Sequence, residues 1–126
     1  MAGSPEIGRI LELHKLCQVN KEAAARRYAD LHDGDFAIVF TKDGKLAGWP
    51  IRGGDFPWLE LKPEEPVFRK ALAREFSGAV GDVSDQEDSE PSWWLQEHDQ
   101  DDWQLWEEAL IQDGGYRMAL LIGERS

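Results

Sequence analysis

Phe36-Ala37-Ile38-Val39-Phe40-Thr41, running into Lys42-Asp43-Gly44-Lys45, is the stretch that decides the fold. Its first six residues are rich in β-branched and aromatic side chains and too few for a helix, so they read as a buried strand. Asp43-Gly44 then supplies two residues that tolerate positive φ in a tight hairpin turn. Lys45 to Ile51 is accordingly expected to return antiparallel beside the first strand.

Upstream, Asp33-Gly34-Asp35 closes a helical region. Asn20 is a good N-cap for a helix from Lys21 to Leu31, and Val19 stands where it could staple onto Ala24. Ala23, Ala24, Arg27, Tyr28 and Leu31 are expected on one side of that helix. Before the short Gln18-Val19 break, Pro5 to Leu16 reads as another helix. Ile7, Ile10, Leu11 and His14 recur there at helical offsets, and Leu13, Leu16 and Cys17 widen the apolar face. The two make a helix-turn-helix-like pair.

Downstream, Gly53-Gly54 and Pro57 mark a loop carrying Phe56 and Trp58. Pro66 to Phe76 is predicted as a helix with Val67, Leu72 and Phe76 inward. Trp93-Trp94-Leu95 and Trp103 to Ile111 read as strands, and Gly114-Gly115 turns the chain into a last strand, Tyr116 to Ile122. Residues 1–126 are thus expected to form a single α+β domain. A helix pair spans 1–32, and 33–126 hold an antiparallel sheet of about five strands with one packed helix.

The chain is 41% hydrophobic and 31% charged, with a formal net charge of −11. From Asp82 to Glu108 there are eleven Asp or Glu residues and no Lys or Arg, while elsewhere the signs cancel. Within that window, residues 82–92 offer little to bury and are expected as a solvated acidic loop. Such acidity argues against broad contact with nucleic acid or an anionic membrane. An EF-hand calcium loop is excluded, because its central Gly and closing Glu are missing. No apolar run approaches the roughly 20 residues of a membrane span, and the N-terminus has no secretory pattern. The lone Cys17 permits no internal disulfide and fits a reducing compartment. Together these features predict a cytoplasmic protein.

The segment Val19-Asn20-Lys21-Glu22-Ala23-Ala24-Ala25-Arg26-Arg27-Tyr28-Ala29-Asp30-Leu31, leading into Phe36 to Gly44, resembles the helix pair that follows the protease core in ImmA/IrrE-type zinc metallopeptidases. Trp106-Glu107-Glu108-Ala109-Leu110, then Gly115 to Ile122, is similar to that family's closing hairpin. The likeness covers most of the chain and is strongest over residues 18–44. It implies the region after the protease: a helix-turn-helix-like segment plus a GAF/PAS-like sheet that senses a signal in bacterial stress response or gene regulation. The family's His-Glu-x-x-His helix, whose histidines hold zinc, is absent. His14, His32 and His98 have no second His four residues away. A non-catalytic chain with no metal and no cofactor is therefore expected.

His14 and Cys17 read better as packing residues than as a base and a nucleophile. Neither Gly53-Gly54 nor Gly114-Gly115 has the spacing of a phosphate loop. Six tryptophans are an enrichment, and Trp93, Trp94, Trp103 and Trp106 lie among carboxylates. On a strand, Trp103 and Leu105 share one face and Trp106 takes the other, leaving indoles for a pocket. With Trp58, these four are candidates to stack on a cationic or planar small-molecule ligand, or to anchor a protein partner. Lys21, Arg26 and Arg27 are the candidate partner contacts of the helix pair. Over residues 1–31 there are five basic and four acidic residues, too even a balance for DNA to be the partner. A homodimer stays open. A second reading makes the chain a small acidic inhibitor or immunity-like protein that blocks a basic partner or mimics nucleic acid. A third is an enzyme whose site is assembled only in space.

Overall fold

The computed structural model describes residues 5–17 and 20–126. Helices α1 (Ile7–Cys17) and α2 (Lys21–Leu31) lead into strands β1 (Phe36–Lys42), β2 (Lys45–Leu46) and β3 (Ile51–Gly53). A four-residue α3 (Leu72–Glu75) precedes β4 (Glu87–Ser89), β5 (Trp103–Ile111) and β6 (Tyr116–Arg125). The strands form one antiparallel sheet of six in the order β2-β1-β6-β5-β4, with β3 also paired to β1. The fold is α+β, with one strand more than expected.

Alternation along the central strands divides the apolar side chains between two cores. Phe36, Ile38, Leu110, Met118, Leu120 and Ile122 face the helix pair, where Ile7, Ile10, Ala24, Ala25 and Tyr28 meet them. Ala37, Val39, Trp103, Leu105, Ala119 and Leu121 face the other way, onto Phe56, Val67, Ala71, Trp94 and Leu95. One face of the sheet is thus covered by helices and the other largely by loops.

The α2 helix begins as its sequence predicts, with the Asn20 side chain accepting the Ala23 N–H at 2.7 Å. Its inward face differs. Ala24, Ala25 and Tyr28 are buried, while Arg27 and Leu31 are exposed. The small alanines let the helix lie close to the sheet, and the Tyr28 hydroxyl accepts the Glu6 N–H. That rotation carries Leu31 outward. Val19, the expected staple, lies outside the described residues.

The return strand of the first hairpin is interrupted. Leu46 stands opposite Thr41 and Ile51 opposite Ile38, so the outer strand takes five steps where β1 takes three. Pro50 has no N–H for the ladder, and Gly48 takes a positive φ of 80°. The resulting bulge turns Trp49 out to solvent.

Three expectations are corrected. The helix over Pro66–Phe76 shrinks to Leu72–Glu75, because the preceding residues bond sideways to the hairpin. Leu46 N–H donates to the Glu65 carbonyl, Glu64 N–H to Leu46 and Val67 N–H to Gly44. Trp93-Trp94-Leu95 is not a strand, since Pro91–Trp93 form a 3₁₀ turn whose Pro91 carbonyl accepts the N–H of both Trp94 and Leu95. Residues 82–92 are not simply a solvated loop. Ser84 N–H bonds to the Ala109 carbonyl, and Glu87–Ser89 pair with β5 as β4. Backbone groups on the open side of β5 need partners, and a charged segment supplies them as well as an apolar one.

Asn20→Ala removes the α2 cap and is expected to destabilise the chain by about 1 kcal/mol, read as a lower urea midpoint at an unchanged denaturant slope.

Candidate functional site

After β3, the loop through Pro57 is anchored by Phe56, which is buried with its ring 5.8 Å from that of Trp103. The loop lifts Trp58 to the surface, where it is 69% exposed. Arg52 of β3 lays its guanidinium 3.6 Å from the centre of the Trp58 ring, and its Nη1 donates to the Phe56 carbonyl. A carbonyl and an indole face together hold that cation in place.

Arg52 and Trp58 form a ridge between two grooves. The first, about 370 Å³, has Arg26, Ala29 and Asp30 of α2 as one wall and Pro50, Ile51, Arg52 and Trp58 as the other. The second, about 490 Å³, runs from the ridge past Asp55, His98, Asp99 and Asp102 to Arg125. Arg125 is stationed 5.0 Å over the Trp103 ring. The ion pairs among the described residues are Arg9–Glu12 and His98–Asp99, so Arg26, Arg52 and Arg125 carry no carboxylate partner. Three guanidinium groups of an acidic chain thus line the two grooves without a direct ion pair, although Asp30 borders the first groove and Asp55, Asp99 and Asp102 the second.

The structure brings Trp58 and Arg26 to the first groove, and Trp58 and Trp103 to the second. Trp94 and Trp103 are buried in the loop-side core, and Trp103 also lines the second groove beneath Arg125. Trp94 spends its indole N–H on Ser89 Oγ at 3.1 Å. Trp93 is half-buried and stacks on Phe68, with centroids 5.0 Å apart. Trp106 is half-buried on the helix side. Lys21 and Arg27 do not line the Trp58 groove. His14 is half-buried on α1, and the Cys17 side chain lies outside the described part of the structure. Among the described residues no three His, Cys, Asp or Glu side chains gather to hold a metal ion, and no helix is long and apolar enough to cross a membrane.

No family model, curated protein or solved structure matches this chain.

Two carboxylates that are not among the expected site residues stand out in the structure. Glu107 and Glu108 are neighbours on β5, and each receives the start of a helix on its own face of the sheet. Glu107 is 1% exposed. Its Oε2 accepts the Ala73 N–H at 2.7 Å and its Oε1 the Ser89 hydroxyl at 3.2 Å, tying α3 and β4 to β5. Burial raises its pKa to about 7, against the lowering effect of the Ala73, Leu72 and Ser89 hydrogen bonds. Glu108 accepts the Ile7 N–H at 2.9 Å at the head of α1, and burial raises its pKa as well. Glu107 lines none of the grooves described above, and its hydrogen bonds hold α3 and β4 against β5. A signal for it existed: in Trp103, Leu105, Glu107, Ala109 the inward register contains one carboxylate. Arg52 and Arg125 had no such signal, since their indole partners come from elsewhere in the chain.

The folded chain holds the Glu107 proton to about pH 7, whereas an ordinary glutamate releases it near 4.5. Its contribution to stability is fully present below pH 4.5 and is lost as pH rises through 7, with a slope of at most about 1.4 kcal/mol per pH unit. Glu107→Gln keeps the acceptor for Ala73. Urea unfolding across this range is expected to lose most of that slope in the variant, which matches or exceeds the parent's stability at pH 8.

Proposed function

We propose that this chain is a non-catalytic cytoplasmic regulatory module that binds a small ligand or a protein segment. Its place would be the one that the ImmA/IrrE-type likeness implies, a GAF/PAS-like sensor behind a helix pair in bacterial stress response or gene regulation. The observation that carries the reading is the exposed Trp58 ring held under Arg52 and facing Arg26 of α2 across one groove. The sequence suggested a cationic or planar ligand for the tryptophans, and at Trp58 the protein itself supplies the cations. The fitting occupant is an anion with a flat apolar part: a carboxylate or phosphate for the guanidiniums and a ring for the indole.

Such an occupant touches α2 on one side and the sheet edge on the other. If it binds one packing of the helix pair more tightly than another, it shifts the population between them by that difference in affinity. The alternative, an acidic inhibitor of a basic partner, draws support from β4, which orders Glu87 and Asp88 as exposed side chains on the sheet edge. It loses part of its charge inward, because Glu107 and Glu108 serve the fold.

Phenyl phosphate titrated into the chain is expected to quench tryptophan fluorescence. The quench should disappear in Trp58→Phe and weaken about tenfold in Arg26→Ala, the loss of one charge-assisted hydrogen bond. Quenching that persists in Trp58→Phe contradicts the site. Salt-sensitive capture of a basic protein, lost when the carboxylates of residues 97–102 become amides and unaccompanied by phenyl phosphate binding, favours the inhibitor.

A further inference from the structure

At the joint between the helix pair and the sheet, His32 follows the last turn of α2 and donates its backbone N–H to the Tyr28 carbonyl at 2.9 Å. Its ring is 7% exposed and packs against Tyr28 and Phe36, with centroids 5.2 and 5.5 Å away. Nδ1 accepts the Gly34 N–H at 2.8 Å. A nitrogen that accepts carries no proton, so in the neutral ring the proton sits on Nε2. That N–H is the buried side-chain polar group without a hydrogen-bond partner among the described residues. An unpaired buried donor is costly, and such groups usually mark a place where something else supplies the acceptor.

His32 forms part of a groove of about 270 Å³, whose other lining includes Pro5, Trp106, Asp33, Asp35 and Glu124. Trp106 is half-buried there. No Lys or Arg lines this groove, so its polarity is the reverse of the Arg52–Trp58 ridge. The Asp35 Oδ1 atom is engaged by the Asp55 N–H at 2.7 Å, leaving its second oxygen and the Asp33 and Glu124 carboxylates to act on a guest.

We propose that this groove binds a single planar ring, neutral or cationic, that carries one carbonyl oxygen. The carbonyl accepts the His32 Nε2–H, the ring lies along Trp106, and the positive or N–H-bearing edge meets the carboxylates. A volume below the roughly 300–1,000 Å³ of drug-sized clefts limits the guest to about one ring. Nε2 is covered in the free chain, so the oxygen reaches it only if the lining side chains part. This site stands independently of the function proposed above, because it shares no residue with the Trp58 groove.

The test is ¹⁵N NMR of the full chain titrated with three probes: 1-methylnicotinamide, a cation with a carbonyl; N-methylpyridinium, a cation without one; and nicotinate, an anion. The histidine spectrum is expected to place the His32 proton on Nε2. 1-Methylnicotinamide should shift both that resonance and the Trp106 indole N–H. N-Methylpyridinium should bind about tenfold more weakly, for want of one hydrogen bond, and leave the His32 resonance in place. Nicotinate should bind more weakly than 1-methylnicotinamide, and Glu124→Gln, an exposed position, should narrow that difference without changing the fold. The proposal is overturned by a proton on Nδ1, by equal response to the three probes, or by a His32 resonance that none of them moves. A long-lived water retained at Nε2 in the presence of 1-methylnicotinamide overturns it as well.

Discussion

The double pairing of β6 is the constraint from which the rest of the molecule follows. Residues Tyr116 to Ile122 are bonded to β1 on one side, and Arg117 to Arg125 to β5 on the other. A strand held along both edges has no freedom of register. Its alternation therefore assigns Met118, Leu120 and Ile122 to the helices and Ala119 and Leu121 to the loops. Both assignments are apolar, so both faces must be covered. The helix pair and the Trp94 loop are the two coverings.

Helices and loops placed on a sheet bring backbone ends that need partners, and β5 meets two of them with adjacent side chains. Glu108 reaches the first turn of α1, while Glu107 reaches Ala73 at the start of α3 and Ser89 of β4. A carboxylate accepts well from backbone N–H groups at a helix start. For Glu107, burial raises the pKa to about 7, and the donors around it offset part of the cost of burying its charge. The chain thereby links its two coverings through one strand.

What was legible in the sequence was what neighbours in sequence determine. The Asn20 cap, the Phe36–Thr41 run and the Asp43-Gly44 turn each work within a few residues, and the structure has them in place. Residues 64–67 and 82–92 were not legible, because their backbone bonds go to the first hairpin and to β5, far away along the chain. The Trp94 segment misled for a related reason: its aromatic character suggested a strand, but Pro91 turned it into a buried plug. Trp58 and Arg26 were recognisable as binding types, yet the groove between them depends on the Gly48–Pro50 bulge and the anchoring of Phe56. Neither leaves a periodic trace. His32 was visible only as a histidine without a metal partner, since its orphaned nitrogen is a product of packing.

The two borders of the sheet share one consequence. On one side the outer strand is cut in two by the bulge at Pro50, and on the other β4 spans only Glu87–Ser89 and shows two carboxylates to solvent. Neither offers a foreign polypeptide a long, uncharged row of free amides along which to zip. Both borders are thereby poor templates for stacking into fibres. Contacts at these two borders would therefore draw on side chains, on ridges and hollows, more than on the backbone.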